Sequence, residues 1–288
     1  MDKPQLFVAT FASNLEPTLS VLLGSANKND VPVSVLGMGC LPSHRLSFGD
    51  QGGWKKRLDA YRRFASGVRP DDVVAFVDAY DVIVTSNTES ILDAFQRIID
   101  RAAGARVVVS AEEPCDPKCC DSKRLGRIVG PEDTPFRYLC AGVVVGFASD
   151  LVELFDMFPT TAVFDDQFEW GKIWASDPRV VLDGGSLLCL NYSGDNVTRV
   201  DGGRLVLPEA IGGDSAMLPP FLHFSSFKAK FLMVRVFSNL FSDVQLLDTN
   251  IVILVLSVGC ILFFLAFLGV SIALGIVASS SKVEHSSG

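Results

Sequence analysis

The chain has 288 residues, a formal net charge of −8 and a pI near 4.9, and its longest basic cluster is Lys55-Lys56-Arg57. That acidic balance, with no basic stripe, argues against a nucleic-acid partner. The length suits one α/β domain or at most two small ones, and seven cysteines fix no redox compartment.

Leu6–Phe11 (LFVATF) reads as a first strand, ending near Thr10 and the turn-like Ser13-Asn14. A helix is predicted over Glu16–Ser25 and a second strand over Val31–Leu36. Strand–helix–strand order at the start of a chain points to a Rossmann-like nucleotide-binding half. There is no G-x-G-x-x-G and no G-x-x-x-x-G-K-[ST], which disfavours a dinucleotide site or a P-loop. After the glycine-rich loop Ser47–Gly53, Trp54–Phe64 repeats apolar residues at helical spacing.

The central stretch is Val73–Val84, VVAFVDAYDVIV. Its first five residues form a buried strand that runs into Asp78-Ala79-Tyr80-Asp81, placing two carboxylates about one turn apart at a strand end. Open α/β sheets bind ligands there, and paired carboxylates can hold a hard divalent cation. On spacing alone the two acids also fit a solvated turn or a helix cap. Ser86 and Glu89 look like a capping box for a helix carrying Ile91, Leu92, Phe95, Ile98 and Ile99 and running to Ala103.

Arg106–Ser110 is a further buried strand with Glu112 at its carboxyl end, which adds carboxylate beside Asp78 and Asp81 as a candidate cofactor-binding residue or else supports or caps the acidic turn. The loop Asp116–Pro135 is long enough to act as a lid. Cys115, Cys119 and Cys120, just before and within it, fit a zinc site, a local disulfide or plain thiols. Arg137–Ala148 returns to strand character, followed by a helix over Ser149–Phe158 with Ser149 as its cap. Asp165 and Asp166 open a helix over Gln167–Trp174, where acids complement the helix dipole. Short strands follow at Val180–Leu182 and Leu187–Leu190, and Pro219–Phe224 places His223 at a strand end ahead of Lys228 and Lys230.

Ile251–Val277 is uncharged and exceeds the roughly 20 apolar residues that span a bilayer. The sequence therefore predicts one C-terminal transmembrane helix over residues 250–278, a juxtamembrane segment 233–249 and a polar tail 279–288. MDKPQLFVAT has neither the basic nor the apolar region of a signal peptide, so the anchor is expected at the C-terminus. Lys228, Lys230 and Arg235 before the span favour a cytoplasmic domain. The sequons at Asn191 and Asn196 fit a lumenal one.

The motifs together resemble the glycosyltransferase domain of procollagen lysyl hydroxylases and related collagen galactosyl- and glucosyltransferases. Eight segments stand in that family's order: LFVAT; the glycine stretch with Trp54-Lys55-Lys56; FVDAYDVIV; VVSAEEPC; YLCAGVVVGFA; FDDQF; LDGGS; and PPFLHF. The resemblance covers about Leu6 to Lys230 and implies an α/β GT-A fold over residues 1–232, a mixed Rossmann-like sheet flanked by helices. It also implies a UDP-sugar donor and a divalent cation, usually Mn2+. Asp78, Asp81 and His223 match the family's metal ligands. Tyr80 is placed for the uridine, Thr10 for the nucleotide, and Lys228 or Lys230 for the diphosphate. Asp165 and Asp166 match the acids that orient or deprotonate the acceptor.

The implied reaction is transfer of galactose or glucose from a UDP-hexose to a hydroxyl of a protein or glycan, by a single-pass protein of the endomembrane system. The family's Asn-Ser-Gly-Gly stands here as Cys140-Ala141-Gly142-Val143, and its Gly-Asn-Gly after the histidine as Phe224-Ser225-Ser226. These departures near the donor leave a second expectation open, a membrane-tethered binding or scaffold protein that no longer transfers. Phosphoester hydrolysis at the same acids is a third.

Overall fold

A computed structural model of the chain describes residues 3–38, 51–113, 134, 136–159, 165–192, 200–201, 204–205 and 218–241. The chain divides into Met1–Leu246 and Leu247–Gly288, and every described residue belongs to the first unit. The predicted loop cysteines and the sequon at Asn196 lie outside the described residues.

Strands β1 (Leu6–Phe11), β2 (Val33–Leu36), β3 (Val73–Val77), β5 (Val107–Glu112), β6 (Tyr138–Phe147) and β7 (Val180–Asp183) form one mixed sheet in the order β2-β1-β3-β6-β5-β7. β6 runs antiparallel to both of its neighbours, and the remaining pairs are parallel. A smaller sheet has the order β4-β11-β8, from Val82–Val84, Phe221–His223 and Cys189–Asn191. Two-residue strands β9 (Val200–Asp201) and β10 (Arg204–Leu205) pair with each other. The expected mixed α/β sheet flanked by helices is what the chain forms.

The central strand shows why. All five residues of β3 are buried, and they alternate between two cores. Val73, Ala75 and Val77 share one core with Leu19 and Leu22 of α1 (Pro17–Lys28) and Ile91, Phe95 and Ile98 of α3 (Thr88–Ile99). Val74 and Phe76 share the other with Leu58 and Tyr61 of α2 (Gln51–Ser66), Leu151 and Phe155 of α4 (Ala148–Asp156) and Trp170 and Ile173 of α5 (Asp166–Ser176). A strand covered on both faces reads as a continuous apolar run because each face has its own helices to meet. A third core joins Ile83, Leu190, Leu222 and Phe224 to Met233 and Phe237 of α6 (Phe227–Leu240).

Several boundaries differ from expectation. Asn87, not Ser86, caps α3: its side-chain oxygen accepts from the Ser90 N–H at 3.0 Å. Ser149 caps nothing, because β6 passes directly into α4 with Phe147 at the cap position, and the Ser149 hydroxyl instead donates to the Pro70 carbonyl.

The transmembrane helix expected over residues 250–278 is corrected. No helix among the described residues is long and apolar enough to cross a membrane. The longest of them, α2, has 16 residues. It therefore spans only about 24 Å against a hydrocarbon layer of about 30 Å. Residues 250–278 themselves lie outside the described residues. An apolar run in a sequence does not by itself establish a helix. The single-pass endomembrane placement expected from that helix has no spanning helix among the described residues to support it.

Candidate metal and donor site

The end of β3 delivers Asp78, whose backbone N–H donates to the Gly142 carbonyl of β6 at 2.8 Å. Three residues on, Asp81 leads into β4, which pairs antiparallel with β11 in a register that sets Val82 opposite His223. The Phe224 N–H donates to the Asp81 carbonyl at 2.8 Å, closing that pairing. Strand pairing thus brings a histidine far away in sequence against the two acids.

Asp78, Asp81 and His223 each offer one ligand atom, and these atoms lie within 4.8 Å of one another. His223 Nε2 is 3.6 Å from Asp78 Oδ2 and 3.6 Å from Asp81 Oδ1. Those distances are too long for hydrogen bonds. Nε2 is buried and has no hydrogen-bond partner among the described residues. The other oxygen of each acid is held from outside: Arg57 Nη2 lies 2.7 Å from Asp78 Oδ1, and Lys230 Nζ 2.9 Å from Asp81 Oδ2. Two carboxylate oxygens and an imidazole nitrogen therefore face a common point, with their outer sides braced by cations. Hard oxygens with one imidazole fit a divalent cation of the Mg2+ or Mn2+ type. The orphaned Nε2 fits it as well, since a buried polar atom without a partner is costly. Access is from the Asp78 side, whose side chain is 26 % exposed against 4 % for His223.

The charges are mutually compensated. Burial pushes the Asp78 carboxyl up, opposed by Arg57. Burial acts the same way on Asp81, but His223 and Lys230 outweigh it and hold that carboxyl down at about 2. For His223, burial favours the neutral ring, and the Asp81 carboxylate overcomes it to raise the pKa. Arg57 also approaches Asp166 Oδ2 at 3.3 Å and lies 5.2 and 5.4 Å from the rings of Trp54 and Tyr61. Burial lifts Asp166 to about 6, with Arg57 again opposing.

The remaining expected residues divide. Glu112, buried at the end of β5, accepts from Gln167 Nε2 at 3.2 Å, and Gln167 Oε1 accepts from the Ala141 N–H at 3.3 Å. Asp165 is spent on capping α5, accepting from the Gln167 and Phe168 N–H groups at 3.0 and 3.4 Å. Tyr80 ties the acidic turn to the loop after β1, its hydroxyl donating to the Asn14 carbonyl at 3.1 Å. Thr10 is fully buried and donates to the Val77 carbonyl at 2.7 Å, so its hydroxyl points into the sheet. Lys228 lies on α6 two residues before Lys230, the partner of Asp81, and its side chain is outside the described residues.

Four contributors were not foreseen. Arg57 was read only as the end of the longest basic cluster, although it sits three residues after Trp54 and four before Tyr61, on the buried face of α2. Gly142 leaves room for the imidazole: a Cβ there would stand 2.2 Å from His223 Cε1. Asn191 looked like a glycan acceptor, yet it is buried beside His223. Gln167 links β5, β6 and α5 and looked like a helix residue only. Phe224, expected near the donor in place of a family glycine, is fully buried and stacks on Tyr192 with ring centroids 5.0 Å apart.

Comparison with known proteins matches residues 2–182 to the family model described as the PLOD GT domain. A procollagen-lysine,2-oxoglutarate 5-dioxygenase of Drosophila melanogaster is 27% identical over 180 residues, covering 60% of this chain and 23% of that protein. A multifunctional procollagen lysine hydroxylase and glycosyltransferase of Caenorhabditis elegans is 26% identical over 183 residues, covering 61% of this chain and 23% of that protein. The match spans about a quarter of the length of these curated relatives. Among solved structures, a glycosyltransferase involved in glycosylation of the major capsid of PBCV-1 aligns with TM-score 0.45 and 12% identity, over 80% of this chain and 98% of that one. Asp78, Asp81 and Asp166 fall inside the family-model span, whereas His223, Lys230 and Asn191 fall beyond it.

Proposed function

The chain belongs to the PLOD GT domain family, and from that premise we propose that it transfers a hexose from a UDP-sugar to a hydroxyl of a protein or glycan with the help of a divalent cation, Mn2+ by preference. The observation that carries this reading is the convergence of Asp78, Asp81 and the partnerless Nε2 of His223 at the strand ends. These three residues would hold the cation, which supplies Lewis-acid neutralisation of the departing diphosphate.

The chain's own groups do the rest. Lys230, already turned into the site by Asp81, is positioned to pair with diphosphate oxygens, with Lys228 nearby on the same helix. Tyr80 borders the approach to the nucleotide from the acidic turn. Thr10 contributes by fixing the end of β3 through Val77. Glu112, oriented by Gln167, offers a carboxylate to sugar hydroxyls. Asp166, at about 6, is tuned near neutrality to take the acceptor proton, and Arg57 stabilises its charged form. Asp165 acts through α5, as its cap.

One observation favours a second reading, a donor-binding module without transfer. Asp165 is consumed as a cap and Asp166 is paired with Arg57, so neither acid stands free for an acceptor. UDP release from UDP-galactose and UDP-glucose, measured with Mn2+ and with EDTA, separates the two. Metal-dependent release that is lost in Asp81→Ala supports transfer. A thermal shift with Mn2+ and UDP but no release supports the module. Absence of both sinks the site.

A further inference from the structure

We propose that Asn191 is a positioning residue for His223, fixing the imidazole so that Nε2 presents its lone pair to the point shared with Asp78 and Asp81. The proposal rests on the metal reading of that site and deepens it. β8 and β11 pair in parallel with Asn191 opposite His223, so the two side chains emerge side by side. The orientation of the Asn191 amide is set from its far end, where Nδ2 donates to the Ala111 carbonyl at 2.7 Å. Its Oδ1 therefore faces the ring and accepts from His223 Nδ1 at 2.5 Å. A side-chain carbonyl can only accept, so the neutral imidazole carries its proton on Nδ1. Nε2 is left as the acceptor, buried and aimed between the two acids.

The other contacts of the ring agree. Cys140 Sγ lies 3.4 Å from the same Nδ1. Burial pushes the Cys140 thiol well above its ordinary range, so it adds no charge there. The ring packs over Gly142, in the space a Cβ there would occupy, which confines it in this position. A ligating histidine that donates its second nitrogen to a fixed acceptor is held in tautomer and direction, and loss of such a partner typically weakens metal binding about 10–100-fold. The Asn-Tyr-Ser triplet at Asn191 thus has a use inside the fold, and its amide, only 6% exposed, is not offered for glycosylation.

The test uses the full chain, with Mn2+ as probe, and the variants Asn191→Leu and Asn191→Asp. Leu keeps the volume and removes the acceptor, whereas Asp keeps the acceptor. Mn2+ affinity should fall about 10–100-fold in Asn191→Leu and stay within about tenfold of the parent in Asn191→Asp. Long-range proton–nitrogen NMR of the metal-free parent at alkaline pH, with His44→Gln and His285→Gln to assign the signals, should show the His223 proton on Nδ1. Parental Mn2+ affinity in a folded Asn191→Leu overturns the proposal. So does a proton on Nε2 in the parent, which decides the matter even where the Leu variant does not fold. A parent that binds no Mn2+ but shows the Nδ1 proton overturns the metal reading alone and leaves the positioning of the ring established.

Discussion

Replacing Gly142 by alanine isolates the histidine without touching its chemistry. The added Cβ would stand 2.2, 2.5 and 2.7 Å from Cε1, Nδ1 and Nε2 of His223. Carbon contacts settle near 3.5–4.0 Å, so the ring must retreat by about 1 Å or more. Metal–ligand distances tolerate only about 0.2 Å. Overpacking of this kind costs about 1–3 kcal/mol of stability wherever it occurs. Gly146→Ala on the same strand is the matched control, since its Cβ would meet Val107 Cγ2 at 2.6 Å, in the core and away from the acids.

Both variants should therefore lose comparable stability in EDTA, read by urea denaturation. They should diverge when Mn2+ is added. At a cation concentration 100 times the parental Kd, binding stabilises the folded chain by about 2.7 kcal/mol. A 100-fold weaker site leaves about 0.4 kcal/mol of that. Gly146→Ala should keep the full increment and Gly142→Ala should lose most of it. Full Mn2+ stabilisation of Gly142→Ala would show that the His223 ring is no ligand, and the argument from the crowded glycine would fail.

Arg57→Ala leaves Asp78 and Asp166 without their shared cation, and should cost about 3 kcal/mol in urea denaturation in EDTA. Mn2+ should restore part of that loss by neutralising Asp78, and no recovery would contradict the shared-cluster account. Asp72→Asn should destabilise by about 2 kcal/mol near neutral pH, because the buried carboxylate joins Arg69 to the Gln5 N–H at the base of β1 and β3. Its hydrogen bond to Arg69 depresses its pKa, so its contribution is complete above the ordinary carboxylate range and is lost as pH falls through the depressed value. The two stability curves should accordingly converge in strong acid, and a constant gap would assign the effect to packing. Asn87→Ala should cost about 1 kcal/mol and Ser86→Ala nearly nothing, measured by thermal unfolding.

What the sequence revealed follows the range of the interaction involved. Val73–Val77 and the acids behind it were legible because a doubly covered strand and its carboxyl end are written in consecutive residues. His223 was legible as a strand-end residue, and its meeting with Asp81 follows from the pairing of β4 with β11. Asn191 was not legible, because its role depends on β8 lying beside β11 in one register, and its local triplet carries a different message. Arg57 was hidden by averaging: a cation on an amphipathic helix reads as solvated unless the buried face is traced through it. Ser86 and Asn87 are adjacent residues of equal capping propensity, so only the backbone decides between them.

Titration calorimetry of UDP into the full chain bears most directly on the claim that Asp78, Asp81 and His223 hold one cation that grips a diphosphate. The account predicts UDP binding in Mn2+, none in EDTA, and none in Mn2+ for a folded Asp81→Ala. Equal UDP affinity in Mn2+ and EDTA, or undiminished binding by Asp81→Ala, would contradict it.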